Sequence, residues 1–171
     1  MTHELDAAEA QLVSHLRVVA GYEGTRPGWV HGGVAALLLA EGRWCTPAPW
    51  PGGGTPPGAP GRCYAEAAGW AWASDGALAY VEGWAWARAG APVEHAWCAG
   101  ADGAAVDVTW PRPGGAYLGL PVRADEAVAL MTATGSPLLH GPSGLPPYAA
   151  YSWCRDGIPE GLRADVGRPV G

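Results

Sequence analysis

Between Thr46 and Gly61 the chain reads TPAPWPGGGTPPGAPG, and no other stretch narrows the possible folds as much. Proline has no amide N–H to give to a helix or a ladder, and repeated glycine loses the most freedom on being fixed, so this segment is a loop. It divides a helical front from a strand-rich back and runs directly into Cys63. Long ordered loops in compact domains often belong to sites, and this one reads as part of a site, not as a linker.

In the front part, Leu5, Ala8, Leu12, Leu16 and Val19 recur three or four residues apart, which predicts an amphipathic helix over 3–20 that stops at Gly21. WVHGGVAALLLAE, 29–41, predicts a second helix, apolar nearly all round and therefore buried. After the loop, CYAEAAGWAWASD predicts a helix from Cys63 to Asp75, ended by Asp75-Gly76. LAYVEGWAWA, 78–87, alternates with a period of two and predicts a strand. VEHAWCA and AAVDVTW flank Ala101-Asp102-Gly103 as a hairpin, AYLGLPV predicts a strand over 116–122, and ADEAVALMTATG a helix over 124–135. The Pro/Gly-rich remainder is expected to be irregular. The expectation is one α+β domain over 1–156, helices packed on an antiparallel sheet with the core motifs at 61–122, and an irregular, frayed tail at 157–171.

A chain of 171 residues can bury one core of its own. Its net charge of −6, without an Arg cluster, offers no footprint for a phosphate backbone and argues against nucleic acid. The apolar run VAALLLA is far short of the ~20 residues a membrane span needs, and MTHELDAAEA lacks the layout of a signal peptide. A cytoplasmic protein with no membrane partner is expected. Phe, Asn and Lys are absent, a bias that points to a GC-rich genome. Trp70, Trp72, Trp84, Trp86, Trp97 and Trp110 are then expected mostly as core filling.

Cys45, Cys63, Cys98 and Cys154 would allow two disulfides in an exported protein, whereas in a reducing compartment they signal reactivity or burial. A zinc site using His95 and Cys98 competes, but no C-x-x-C pair occurs and residues three apart on a strand face opposite ways.

Cys63 at a helix start, followed by His95 and Asp107 on two arms of one hairpin, has the order of a thiolate, its base and the group that orients the base. A helix N-terminus and a neighbouring histidine both stabilise a thiolate, and free N–H groups of the first turn supply half of an oxyanion hole. Whether His95 meets Asp107 depends on register. A two-residue Asp102-Gly103 turn pairs Cys98 with Asp107 and puts His95 and Asp107 on opposite faces. A three-residue loop with Gly103 left-handed pairs Trp97 with Asp107, leaving His95 and Asp107 as diagonal neighbours ~7 Å apart at the backbone. The sequence permits either. Each residue also has an ordinary structural reading as a buried thiol, a core histidine or a turn aspartate.

The runs CYAEA, YVEGWA, EHAWC, VDVTW and YLGLPV together resemble a group of uncharacterised bacterial and phage proteins whose core is similar to the transglutaminase-like and papain-like cysteine-enzyme superfamily. The resemblance covers about residues 61 to 122. It implies a papain-like α+β fold and a Cys63, His95, Asp107 triad, without a cofactor or metal. Such folds are often completed by a Gln or Trp donor ahead of the cysteine; Gln11 is far upstream, leaving Trp44, Trp50 or a backbone group. Tyr64, Glu82 and Trp97 are the further candidates for substrate contact or site wall, although a Glu82 paired to a surface Arg is an equal alternative. His31 and His140 receive no role. The function expected is a cysteine-dependent hydrolase or acyl transferase acting on a small-molecule, peptide or protein amide through a thioester. The alternative is a binding or structural protein on the same scaffold with a relict triad.

Overall fold

A computed structural model describes residues 2–141 and 145–171. Helices α1 (Thr2–Glu23) and α2 (Val34–Glu41) precede strand β1 (Arg43–Pro47), and α3 (Cys63–Ala73) follows the Pro/Gly loop. Strands β2 (Leu78–Trp86), β3 (Pro92–Gly100), β4 (Ala104–Val106) and β5 (Ala116–Val122) come next, then α4 (Ala124–Thr134), α5 (Tyr148–Asp156) and the short β6 (Arg168–Pro169). The chain is α+β.

The strands order as β4-β3-β2-β5-β1, and β1 pairs back onto β4 to close a five-stranded barrel, with β6 on the outside of β1. The closing pair, Thr46 with Ala104 and Pro47 with Ala105, is parallel, while β2, β3, β5 and their neighbours pair antiparallel. The expected antiparallel sheet is thus corrected to a mixed, closed one. Closure depends on β1, five residues whose burial cannot be told from periodicity at that length.

Five strands leave room only for side chains. Trp97 and Tyr117 fill the interior with Cys45, Val81, Ala85, Ala99 and Ala105 around them. Gly83 and Gly119 face each other across β2 and β5. A Cβ on Gly83 would lie 2.3 Å from the Leu118 carbonyl oxygen, and one on Gly119 would lie 2.7 Å from Cη2 of Trp97. Both glycines are there because the strands and the indole approach too closely for any side chain.

The outer face of β2, β3 and β5 carries Tyr80, Ala96, Cys98 and Leu120, covered by α2, α3, α4 and α5. Helix α3 presents Ala67, Ala68 and Ala71 to the barrel, and the close approach lets the Cys98 thiol donate to the Ala67 carbonyl at 3.2 Å. Its Trp70 and Trp72 point to solvent, 39% and 59% exposed, so these two are not the core filling expected of them. Helix α1 packs Ala8, Leu12 and Leu16 against Trp44 and Leu118. It continues past Gly21 to Glu23, whose carboxylate accepts the Ala35 and Ala36 N–H groups at 3.0 and 3.2 Å and caps α2. That cap explains why α2 starts at Val34 and not at Trp29.

Helix α5 replaces part of the irregular region expected after α4. Ala149, Ala150, Trp153 and Cys154 form one buried stripe on it. The 157–171 segment has little regular structure but is tied down, Arg163 bridging Val122 and Arg168–Pro169 pairing with Arg43 and Trp44. Among the described residues no helix is long and apolar enough to cross a membrane.

Substituting Gly119→Ala should lower the unfolding free energy by about 1–3 kcal/mol through overpacking against Trp97. An unchanged urea midpoint would contradict the close approach described.

Candidate active site

The β3–β4 hairpin sets the geometry. Cys98 pairs with Val106 and Ala99 with Ala105, Gly103 stands at φ +77°, and its N–H donates to the Gly100 carbonyl at 2.9 Å. This is the three-residue loop. Asp102 steadies it by accepting the Ala104 N–H at 3.0 Å. His95 and Asp107 consequently share a face, with Nε2 of His95 2.8 Å from Oδ2 of Asp107.

Asp107 is 3% exposed and surrounded by donors. Its Oδ1 accepts the Thr109 and Trp110 N–H groups, both at 3.0 Å, and the Thr109 hydroxyl at 3.3 Å. The Tyr117 hydroxyl donates to Oδ2 at 2.9 Å and itself accepts the Gly114 N–H at 2.8 Å. Burial favours the neutral acid, but the bond to His95, the charge of His95 and the two amide bonds outweigh it and hold the carboxyl below its usual range. The ring of His95 stacks on Trp110, centroids 4.1 Å apart and planes within 19°.

With Nε2 committed to Asp107, Nδ1 is the nitrogen left free, and Cys63 is near enough to bear on the charge of the ring. Burial disfavours the charge of His95. The hydrogen bond to Asp107 and the proximity of Cys63, with the charges of both, outweigh that and raise its pKa from 6.5 to about 9. Cys63 is the first residue of α3 and partly exposed. The left-handed Gly61 before it turns the chain, and the first intrahelical bond is Glu66 N–H to Arg62 C=O at 3.0 Å, so the N–H groups of residues 63–65 have no intrahelical acceptor. The preceding loop is anchored beside Asp107. Gly58 N–H donates to the Val108 carbonyl at 2.8 Å, at a spot where a Cβ would lie 2.3 Å from that oxygen.

The other cysteines sit in different surroundings. Burial pushes the thiols of Cys45 and Cys154 up to about 11 and that of Cys98 up to about 12, and all four cysteines are unpaired. Cys98 is on the outer face, away from His95, which removes the His95–Cys98 zinc pair. Among the described residues no three His, Cys, Asp or Glu side chains gather as metal ligands.

Tyr64 is half-buried beside Cys63, and burial followed by the charges of Glu82, Cys63 and Glu94 drives its phenol far above 10, so it stays protonated. Glu82 is not a surface carboxylate paired to an Arg. It is fully buried on the outer face of β2 and accepts the Tyr80 hydroxyl at 2.7 Å and the N–H groups of Leu138, Leu139 and His140, each at 2.8 Å. Its work is to hold that turn against the barrel. Trp97 shares His95's face but is fully buried in the barrel, behind the histidine and closed to any ligand. Trp44 packs under α1 with Arg168 over its ring at 5.5 Å, and Trp50 lies edge-on to Trp70 at 5.3 Å.

Sequence reasoning passed over Tyr117, Gly58 and His140. The inward phase of 116–122 was the available signal for Tyr117; Gly58 and His140 gave none. No protein-family model, no curated protein and no solved structure matches this chain, so the resemblance to papain-like and transglutaminase-like enzymes rests on its motifs.

A histidine whose folded pKa exceeds its unfolded value stabilises the fold fully below 6.5 and loses that contribution as pH rises through about 9. The unfolding free energy of the wild type minus that of His95→Gln should decline over this window by up to ~3 kcal/mol. Parallel urea-denaturation profiles for the two proteins would contradict the shift.

Proposed function

We propose that the protein is a cysteine-dependent hydrolase or acyl transferase that cleaves an amide through a thioester on Cys63. The observation that carries this reading is the position of His95, bonded through Nε2 to a buried Asp107 ringed by donors, with Nδ1 free and Cys63 near enough to bear on its charge. A His95 charged up to about pH 9 is the natural counter-ion of a thiolate at neutral pH.

The thiolate attacks the amide carbonyl carbon, and the free N–H groups at the start of α3 receive the developing oxyanion. His95 gives its proton to the departing amine as the C–N bond breaks, leaving the acyl group on sulfur. Neutral His95 then takes a proton from water or an acceptor amine, which attacks the thioester; the C–S bond breaks and the thiolate returns. Asp107 keeps Nε2 protonated and Nδ1 directed at the sulfur throughout. The scheme calls on no cofactor. A nucleophile-bearing helix packed on a barrel that carries histidine and then aspartate supports kinship with the papain-like and transglutaminase-like superfamily. Four unpaired cysteines fit a reducing, cytoplasmic setting. The three-residue hairpin loop and the thiol–imidazole proximity favour this reading over a binding or structural protein with a relict triad.

The test is the pH dependence of iodoacetamide alkylation at each cysteine, resolved by peptide mass spectrometry. Cys63 alone should react rapidly below about pH 7 and lose that behaviour in His95→Ala. A Cys63 that titrates near the free value of ~8.5, or does not react, would overturn the proposal.

A further inference from the structure

A cavity of about 290 Å³ lies on the outer face of β2 and β3, bounded by the end of α1, the start of α2 and α5. Its walls include the rings of Trp29, Trp84 and Tyr151. Trp84 and Glu94 are cross-strand partners on this face, and Glu94 immediately precedes His95. His140 also lines it, and its ring centroid is 6.5 Å from that of Tyr64, the residue after Cys63. The side chain of Glu94 points away from that of His95, so the cavity neighbours the candidate active site through Tyr64, on which the charge of Glu94 also bears.

Its polar groups define what it accepts. Two carboxylates, Glu23 and Glu94, and one guanidinium, that of Arg26, line it. Glu23 is occupied with the N-terminus of α2, and Arg26 lies over the Trp29 ring at 4.5 Å. Glu94 is exposed and makes no ion pair among the described residues. His140 is 7% exposed, its Nδ1 is 3.3 Å from Oε1 of Glu82, and neither of its buried ring nitrogens has a hydrogen-bond partner among the described residues. The ring therefore has hydrogen-bonding capacity that the protein leaves unused. Aromatic walls, an unpaired carboxylate and an unpartnered imidazole together suit a ligand with an apolar stem and a cationic donor at its tip.

We propose that this cavity is the specificity pocket of the enzyme and takes a lysine-like alkylammonium side chain next to the scissile amide, an inference that rests on the thiolate reading of Cys63 above. Glu94 receives the ammonium group, while Trp29, Trp84 and Tyr151 enclose the alkyl stem.

N-blocked chloromethyl ketones of lysine, norleucine and glutamate test it, since the Cys63 thiolate displaces chloride to form a stable S–C bond. In the wild type the lysine reagent should alkylate Cys63 about tenfold faster than its norleucine counterpart, the sum of a cation–aromatic contact and a partly exposed ion pair. The ratio should collapse towards unity in Glu94→Gln, and Glu94→Lys should prefer the glutamate reagent. Glu94 is at the surface, so both variants should fold. Equal rates for lysine and norleucine in the wild type, or a lysine preference that survives Glu94→Gln, would overturn the pocket. An ordinary iodoacetamide profile at Cys63 would instead overturn the thiolate reading, so the two failures are told apart.

Discussion

The left-handed Gly103 fixes the register of β3 against β4, and the candidate site depends on that register. One residue more or fewer in the loop would turn Asp107 to the face opposite His95, because side chains alternate along a strand. With the register set, His95 points into the barrel end and Asp107 meets it at 2.8 Å. The same alternation sends Cys98 outward to the Ala67 carbonyl, so two groups three residues apart serve opposite faces of one strand.

Two buried carboxylates anchor the two faces. Asp107 is charged inside a nearly closed barrel end because three N–H or hydroxyl donors and His95 surround it in addition to the Tyr117 hydroxyl. Glu82, on the outer face, is met by three backbone N–H groups and a phenol. An isolated carboxylate would be too costly to bury in either place. Asp107 fixes the imidazole of His95 at Nε2, and Glu82 holds the Leu138–His140 turn that brings His140 to the neighbouring cavity. The Pro/Gly loop, clipped to Val108 through Gly58, joins the Cys63 end of the chain to the Asp107 end.

Elements with a clear period were legible from the residues. Leu78–Trp86 announces itself by alternation, Ala116–Val122 reads as a short apolar strand, and the His95–Asp107 approach can be worked out once a loop length is chosen. What escaped depends on partners far along the chain. Arg43–Pro47 is too short to show a pattern, yet its parallel pairing with Ala104 and Ala105 turns an open antiparallel sheet into a mixed barrel. Tyr148–Asp156 hides between prolines and glycines, although its buried residues make a helical stripe. Glu82 reads as a surface acid until 138–140 folds over it, a contact spanning 56 to 58 residues. Trp97 reads as a possible site wall because its face is right; its burial follows only from barrel closure.

The central claim is that His95 is an imidazolium held between Asp107 and the Cys63 sulfur. Nitrogen-15 NMR of the histidine rings, titrated in the wild type and in Cys63→Ala, tests it most directly. The account predicts one imidazole that keeps its charge to about pH 9 in the wild type, assigned to His95 by its loss in His95→Gln, and whose midpoint falls when the sulfur is removed. A His95 that titrates near 6.5 in the wild type, or whose midpoint is the same without Cys63, would contradict it.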